Sequence, residues 1–202
     1  MSIRSLVTRA AGHVERLTAL RSFDRGVVAP PAQRSKRRHL LRLFRERGHQ
    51  VLIESGTFRG ETVRFFLPHA SRIVSIEVDP SLHAQAAARF ADKPQVEILL
   101  GDALKELPRI AGELEEPAML WLDGHYSGGE TGRGEVDEPG VLILDQLGKL
   151  GLPKGTTVVV DDVRAFGVLP DFPSLETFVD AARAAFPGAK LTIELDSLVI
   201  RA

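Results

Sequence analysis

No cysteine occurs in the 202 residues of the chain. That single absence removes a disulfide framework, a thiolate metal site and a cysteine nucleophile. Cytosine-C5 chemistry through a covalent cysteine adduct is excluded with them. No apolar run approaches the roughly 18 residues that a bilayer-spanning helix needs. A secretory cleavage pattern is also missing, and although Met1 to Phe23 is Arg-rich and acid-poor as a transit peptide would be, it has no long apolar centre. A cytoplasmic protein is the expectation. Two nucleotide signatures are absent as well: neither Gly-x-Gly-x-x-Gly nor Gly-Lys-Ser/Thr follows the first strand-like segment. A dinucleotide and a triphosphate are therefore not the implied ligands.

What is present suits one globular domain with a full core, with 44% apolar and 26% charged residues. The net charge of -1 hides an asymmetry, because residues 1–48 carry 12 Lys/Arg against 3 Asp/Glu while the rest carries 14 against 24. Such a basic segment can attract nucleic acid or an anionic surface, but docking on the acidic body of its own chain or of a second subunit is the first reading. Within it, Leu6, Ala10, Val14, Leu17 and Leu20 draw one stripe along a predicted helix over 5–20. Asp24 to Pro31 breaks the pattern. A second basic helix is predicted over 34–47, with Leu40, Leu41, Leu43 and Phe44 inward and Gly48 as its stop. Residues 1–48 thus read as a helical extension or cap, and a homo-oligomer contact, before a body spanning 49–202.

That body begins with Val51 to Thr62, where an apolar run leads into Glu54 and two glycines, Gly56 and Gly60, precede a helix start. A buried parallel strand, a sharp turn and a ligand cradle are the expectation. Strand predictions follow at 72–78, 96–100, 118–122 and 156–160, each ending at or just before an acid, with helices at 62–67, 81–90 and 174–186 and a helix after Pro139 whose core face takes Val141, Leu142, Ile143 and Leu147. Asp79 before Pro80 reads as a helix cap. The tail, 191–195 and 198–200 around Asp196-Ser197, reads as a terminal hairpin. Alternation of this kind calls for an α/β, doubly wound, mostly parallel Rossmann-like sheet with its ligand at the carboxyl ends of the strands. Glu77, about 20 residues past the glycine loop, stands where such folds bond a ribose hydroxyl.

Glu54-x-Gly56-x-x-x-Gly60 resembles motif I of class I S-adenosylmethionine-dependent methyltransferases, Glu77 resembles motif II, and Gly101-Asp102-Ala103 resembles motif III. The resemblance covers about residues 51–202 and implies S-adenosylmethionine as cofactor. Glu54 and the loop of Gly56, Thr57 and Gly60 would then meet its methionine part, Glu77 the ribose, Asp102 or its neighbour the adenine, and Asp123 the rim of the same pocket. Three acids at two strand ends, Asp123, Asp161 and Asp162, are hard oxygen ligands suited to Mg2+, Mn2+ or Ca2+. They resemble the metal ligands of small-molecule O-methyltransferases of the catechol, caffeoyl and macrolide-sugar types. Where catechol-type enzymes carry a lysine base this chain has Tyr126, and where sugar-methylating relatives tend to read Asp-Gly-Asp it reads Asp123-Gly124-His125.

An imidazole titrates near neutral pH, so His125 is the expected base and Asp123 its catalytic companion, with Tyr126 left open as the alternative. The glycine-rich stretch from Gly124 to Glu138 reads as a substrate lid or a plain surface loop. The function implied is O-methylation of a small-molecule hydroxyl assisted by a divalent metal. Two rivals stand beside it. A nucleic-acid methyltransferase would use the basic segment, but no Asn/Asp-Pro-Pro-Tyr/Phe stretch follows the fourth strand. A binding protein without catalysis would keep only the cofactor pocket.

Overall fold

Seven strands form one sheet in the order β3-β2-β1-β4-β5-β7-β6, with β1 (Val51–Ser55), β2 (Arg72–Glu77), β3 (Val96–Leu100), β4 (Ala118–Leu122), β5 (Thr157–Val160), β6 (Lys190–Glu194) and β7 (Ser197–Arg201). The first five run parallel and the last two form an antiparallel hairpin against β5. These coordinates are a computed structural model that describes residues 30–124, 139–169 and 172–202. The helix expected over 5–20 and the glycine-rich stretch with His125 and Tyr126 lie outside the described residues.

β1 and β4 are the paired inner strands, and all five residues of each are buried, as apolar strands covered on both faces must be. Successive residues alternate between two cores. Val51 and Ile53 point to one with Leu120 and Val158; Leu52 points to the other with Met119, Trp121 and Val159. The first core is closed by α4 (Ala103–Gly112), α5 (Gly140–Leu150) and α6 (Leu175–Ala185), the second by α1 (Gln33–Glu46), α2 (Glu61–Phe66) and Phe90 at the end of α3 (Pro80–Arg89). Helices on both faces of a mostly parallel sheet are the expected doubly wound arrangement.

Part of the basic segment is thereby integral to the body. Leu40, Leu43 and Phe44 of α1 are buried against β1 and β4, each side chain contributing about 1.5–3 kcal/mol of apolar burial. Arg42 pairs with Glu194 at 2.6 Å, tying α1 to the hairpin. The hairpin turn is tight: Leu195 and Asp196 both adopt positive φ, 45° and 70°, the mirror-type turn that matches strand twist.

Two local differences from the sequence reading have plain causes. α4 fills the segment between Asp102 and Ala118, to which the sequence pattern assigned no element, since Pro108 inside it masks the helical pattern. On α5, Leu142 is 46% exposed and Leu144 takes the core position instead, because the helix begins at Gly140 and its inward stripe runs Gly140, Ile143, Leu144, Leu147.

Candidate functional site at the carboxyl ends of the strands

The loop after β1 is shaped by positive φ at Gly56 (91°), Phe58 (48°) and Gly60 (69°). Its glycines serve chain packing. A Cβ on Gly56 would lie 2.5 Å from the carbonyl oxygen of Asp123, and one on Gly60 would meet the Phe90 ring. The amides of Gly56 and Thr57 donate to the Ile76 carbonyl, that of Gly60 to Thr57, and that of Phe58 to Glu77 Oε2 at 2.7 Å. The loop is therefore drawn onto the end of β2.

Glu54 lies beneath this loop rather than on its surface. It is 1% exposed, accepts from Ser75 Oγ at 2.7 Å and is also bonded by the Thr62 side chain, while Ser75 Oγ bonds Thr57 Oγ1 at 2.7 Å. Burial pushes its carboxyl up to about 7, against the hydrogen bonds of Ser75 and Thr62. Glu77 is 4% exposed and holds the Phe58 and Asp79 amides. Phe58 and Leu100, 39% and 51% exposed, flank it, Leu100 as its register partner on β3. Apolar side chains left in solvent beside a buried acid fit a nucleoside, and no motif in the sequence marks this pair. Asp79 caps α3 through the Ser81 and Leu82 amides as expected. Asp102 caps α4 by accepting from the Leu104 amide.

The acid cluster forms where β4 and β5 run out side by side. Asp123 N donates to Ser55 O and Asp161 N to Leu122 O, so the ladder carries both residues one step past the strands. Asp162 then turns into the left-handed region, φ 59°, which an aspartate tolerates better than most side chains. That turn breaks the alternation of a strand and lets consecutive acids face one place. Asp123, Asp161 and Asp162 each offer an oxygen within 4.8 Å of the others. Beside them is a small pocket lined by Ser55, Gly124, Gly140, Ile143 and Asp161.

Electrostatics in the cluster are dominated by crowding. Burial and the charges of Asp161 and Asp162 push Asp123 well above the usual carboxylate range, and burial with the Asp162 charge raises Asp161 to about 6. The hairpin braces the group: Ser197 Oγ donates to Asp161 at 3.2 Å, and Arg164 pairs with both Asp162 and Asp196. The sequence reading missed one member. Lys36 of α1, 4% exposed, places its ammonium on Asp161 and, at 2.9 Å, on Asp162 Oδ1. Burial works against its charge, yet the two carboxylates outweigh it and the ammonium is held above its ordinary pKa. Its spacing was the available signal: positions 36, 40, 43 and 44 form one helical stripe, so a cation stood in an otherwise apolar face.

No protein-family profile and no curated protein matches the sequence. Among solved structures the chain is similar to the O-methyltransferase of Bacillus cereus in complex with SAH, at 20% identity over 93% of this chain and 90% of that one, TM-score 0.59. It is similar to the O-methyltransferase TomG of Streptomyces achromogenes, involved in tomaymycin synthesis and bound to SAM, at 22% identity over 92% and 87%, TM-score 0.55. It is also similar to the N-methyltransferase NodS of Bradyrhizobium japonicum with SAH, at 16% identity over 85% and 87%, TM-score 0.56. The fold is that of class I S-adenosylmethionine-dependent methyltransferases. O- and N-methyltransferases share it, so the sheet alone specifies no acceptor atom.

Proposed function

We propose that the chain is an S-adenosylmethionine-dependent O-methyltransferase acting on a small-molecule hydroxyl with a divalent metal, most simply Mg2+. The observation that carries this reading is the convergence of Asp123, Asp161 and Asp162 within 4.8 Å beside the glycine loop. All-oxygen ligands of this kind suit a hard cation. Such a cation, when bound, lowers the pKa of an acceptor hydroxyl, and the cofactor supplies an electrophilic methyl group.

The chain's own residues would do the rest. Glu77, with Phe58 and Leu100 beside it, receives the nucleoside; Asp102 stands at the adenine end; Gly56, Thr57 and Gly60 shape the rim, with Glu54 bracing it from below. Asp123 adjoins both halves, since its carbonyl packs on Gly56 while its carboxylate belongs to the cluster. His125, the second residue after Asp123 in the sequence, takes the acceptor's proton. Within the basic segment 1–48, α1 belongs to the packed body, and the segment would also supply a subunit contact. Holding two reactants in line supplies much of the acceleration in such a transfer.

The test is calorimetry of the metal-free chain with S-adenosylhomocysteine, followed by screening of hydroxyl acceptors for its production from S-adenosylmethionine with and without Mg2+. A saturable site and Mg2+-dependent turnover are expected. A folded chain showing neither heat nor a thermal shift with the ligand would sink the reading, since a ligand selective for the native state raises apparent stability.

A further inference from the structure

We propose that Lys36 is the resident cation of the acid site and that a divalent metal enters only by displacing it, so that metal uptake and release of the first turn of α1 are one equilibrium. This rests on the reading of Asp123, Asp161 and Asp162 as metal ligands.

Occupancy is the first argument. The Lys36 ammonium bonds Asp161 Oδ2 and Asp162 Oδ1, while Asp161 Oδ1 accepts from Ser197 and Asp162 Oδ1 is shared with Arg164. Two of the three metal-capable groups are thus already engaged by one compact charge. A divalent ion on the same oxygens would lie within a few ångströms of that ammonium, at a depth where water screens little. Both cannot hold those oxygens together.

Attachment is the second argument. α1 starts at Gln33 behind Ala32, which supplies no side-chain cap, has no acid in its first turn, and leaves Gln33, Arg34 and Ser35 exposed. Its apolar anchors begin only at Leu40. Among the described residues, Lys36 is the one buried side chain in the first turn. A lysine suits an exchangeable role, because a point charge on a flexible stem can swing to solvent together with its own turn while the helix from Leu40 onward stays docked. Removing the ammonium from the acids therefore loosens the turn that carries it, and by reciprocity loosening that turn favours the metal.

The experiment titrates chelator-treated full-length chain with Mn2+, counting free ion by its paramagnetic resonance, for wild type, Lys36→Met and Lys36→Arg. Lys36→Met is expected to bind Mn2+ more tightly by on the order of 10-fold or more, within the usual range of coupling between sites. Lys36→Arg should stay near wild type. In the wild-type chain, Mn2+ should speed amide hydrogen exchange over residues 36–40, a readout that holds even if Lys36→Met does not fold. Equal affinities in wild type and Lys36→Met, or Mn2+ bound with exchange of α1 unchanged, overturn the displacement and leave the metal site standing. No Mn2+ binding by any variant overturns the metal reading itself, and the displacement with it.

Discussion

Gly56 and Asp123 meet backbone to backbone, closely enough that a Cβ on the glycine would sit 2.5 Å from the aspartate carbonyl oxygen. The loop after β1 and the acid end of β4 are consequently one packed unit. Gly56→Ala adds both a strained φ of 91° and that clash, and should cost about 2–4 kcal/mol in denaturant unfolding. Gly48→Ala is the control, with φ 67° and nothing within 4 Å, and should cost about 1 kcal/mol. Losses of equal size would show that the Asp123 contact carries nothing.

Glu54 makes stability depend on pH. Its folded pKa, about 7, exceeds the ordinary 4.5, so the fold favours the protonated acid. Below pH 4.5 both states hold the proton; between 4.5 and 7 the unfolded chain loses it first and wild type is progressively destabilised; above 7 the whole penalty applies. Relative to wild type, Glu54→Gln should gain on the order of 3 kcal/mol between pH 4.5 and pH 8. Parallel stability curves for the two proteins across that window would contradict this account of the buried carboxyl.

Asp162→Asn keeps the left-handed turn, since asparagine also tolerates positive φ, but it removes one hard charge from the cluster. Mn2+ affinity should fall at least about 10-fold while S-adenosylhomocysteine affinity stays within about 3-fold, because in the proposed mechanism the ion serves the acceptor and not the nucleoside. Chelator should likewise stop turnover without expelling the cofactor product. A parallel loss of both ligands would place the acids in cofactor binding instead.

His125→Ala should leave Mn2+ and S-adenosylhomocysteine binding intact and lower turnover by roughly 10²- to 10⁴-fold, the usual loss for an acid-base group. Tyr126→Phe, its rival, should be near wild type. The reverse pattern in steady-state rates would move the proton to the phenol.

How much of this was legible depended on which physical signal each residue left. Apolar runs ended by an acid identified β1, β4 and β5, because a strand covered on both faces has no alternation to disguise it, while β2 showed by alternation. The convergence of Asp123 with Asp161 and Asp162 followed from parallel neighbours ending at one edge. Lys36 escaped because a helix is read for the apolar residues in its stripe and a long basic side chain in that stripe passes for a solvated one. The depth of Glu54 was not legible, because the Ser75 and Thr62 bonds that hold its buried carboxyl join residues that no local pattern links. Leu142 was lost to a helix phase that only the position of Gly140 fixes.

The bracing of the acid pair by the hairpin also sets an order in time. Asp161 and Asp162 rely on Lys36 from 125 and 126 positions earlier, and on Asp196 and Ser197 from more than 30 positions later. On a ribosome, β1 to β4 can pair while the tail is still unmade, but the carboxylate pair cannot gain its hairpin brace until residue 197 has emerged. Contacts of such long span close late, after loop entropy has been overcome by the nearer ones. The acid centre is thus among the final pieces of the molecule to assemble, its brace arriving only with the last strand of the chain.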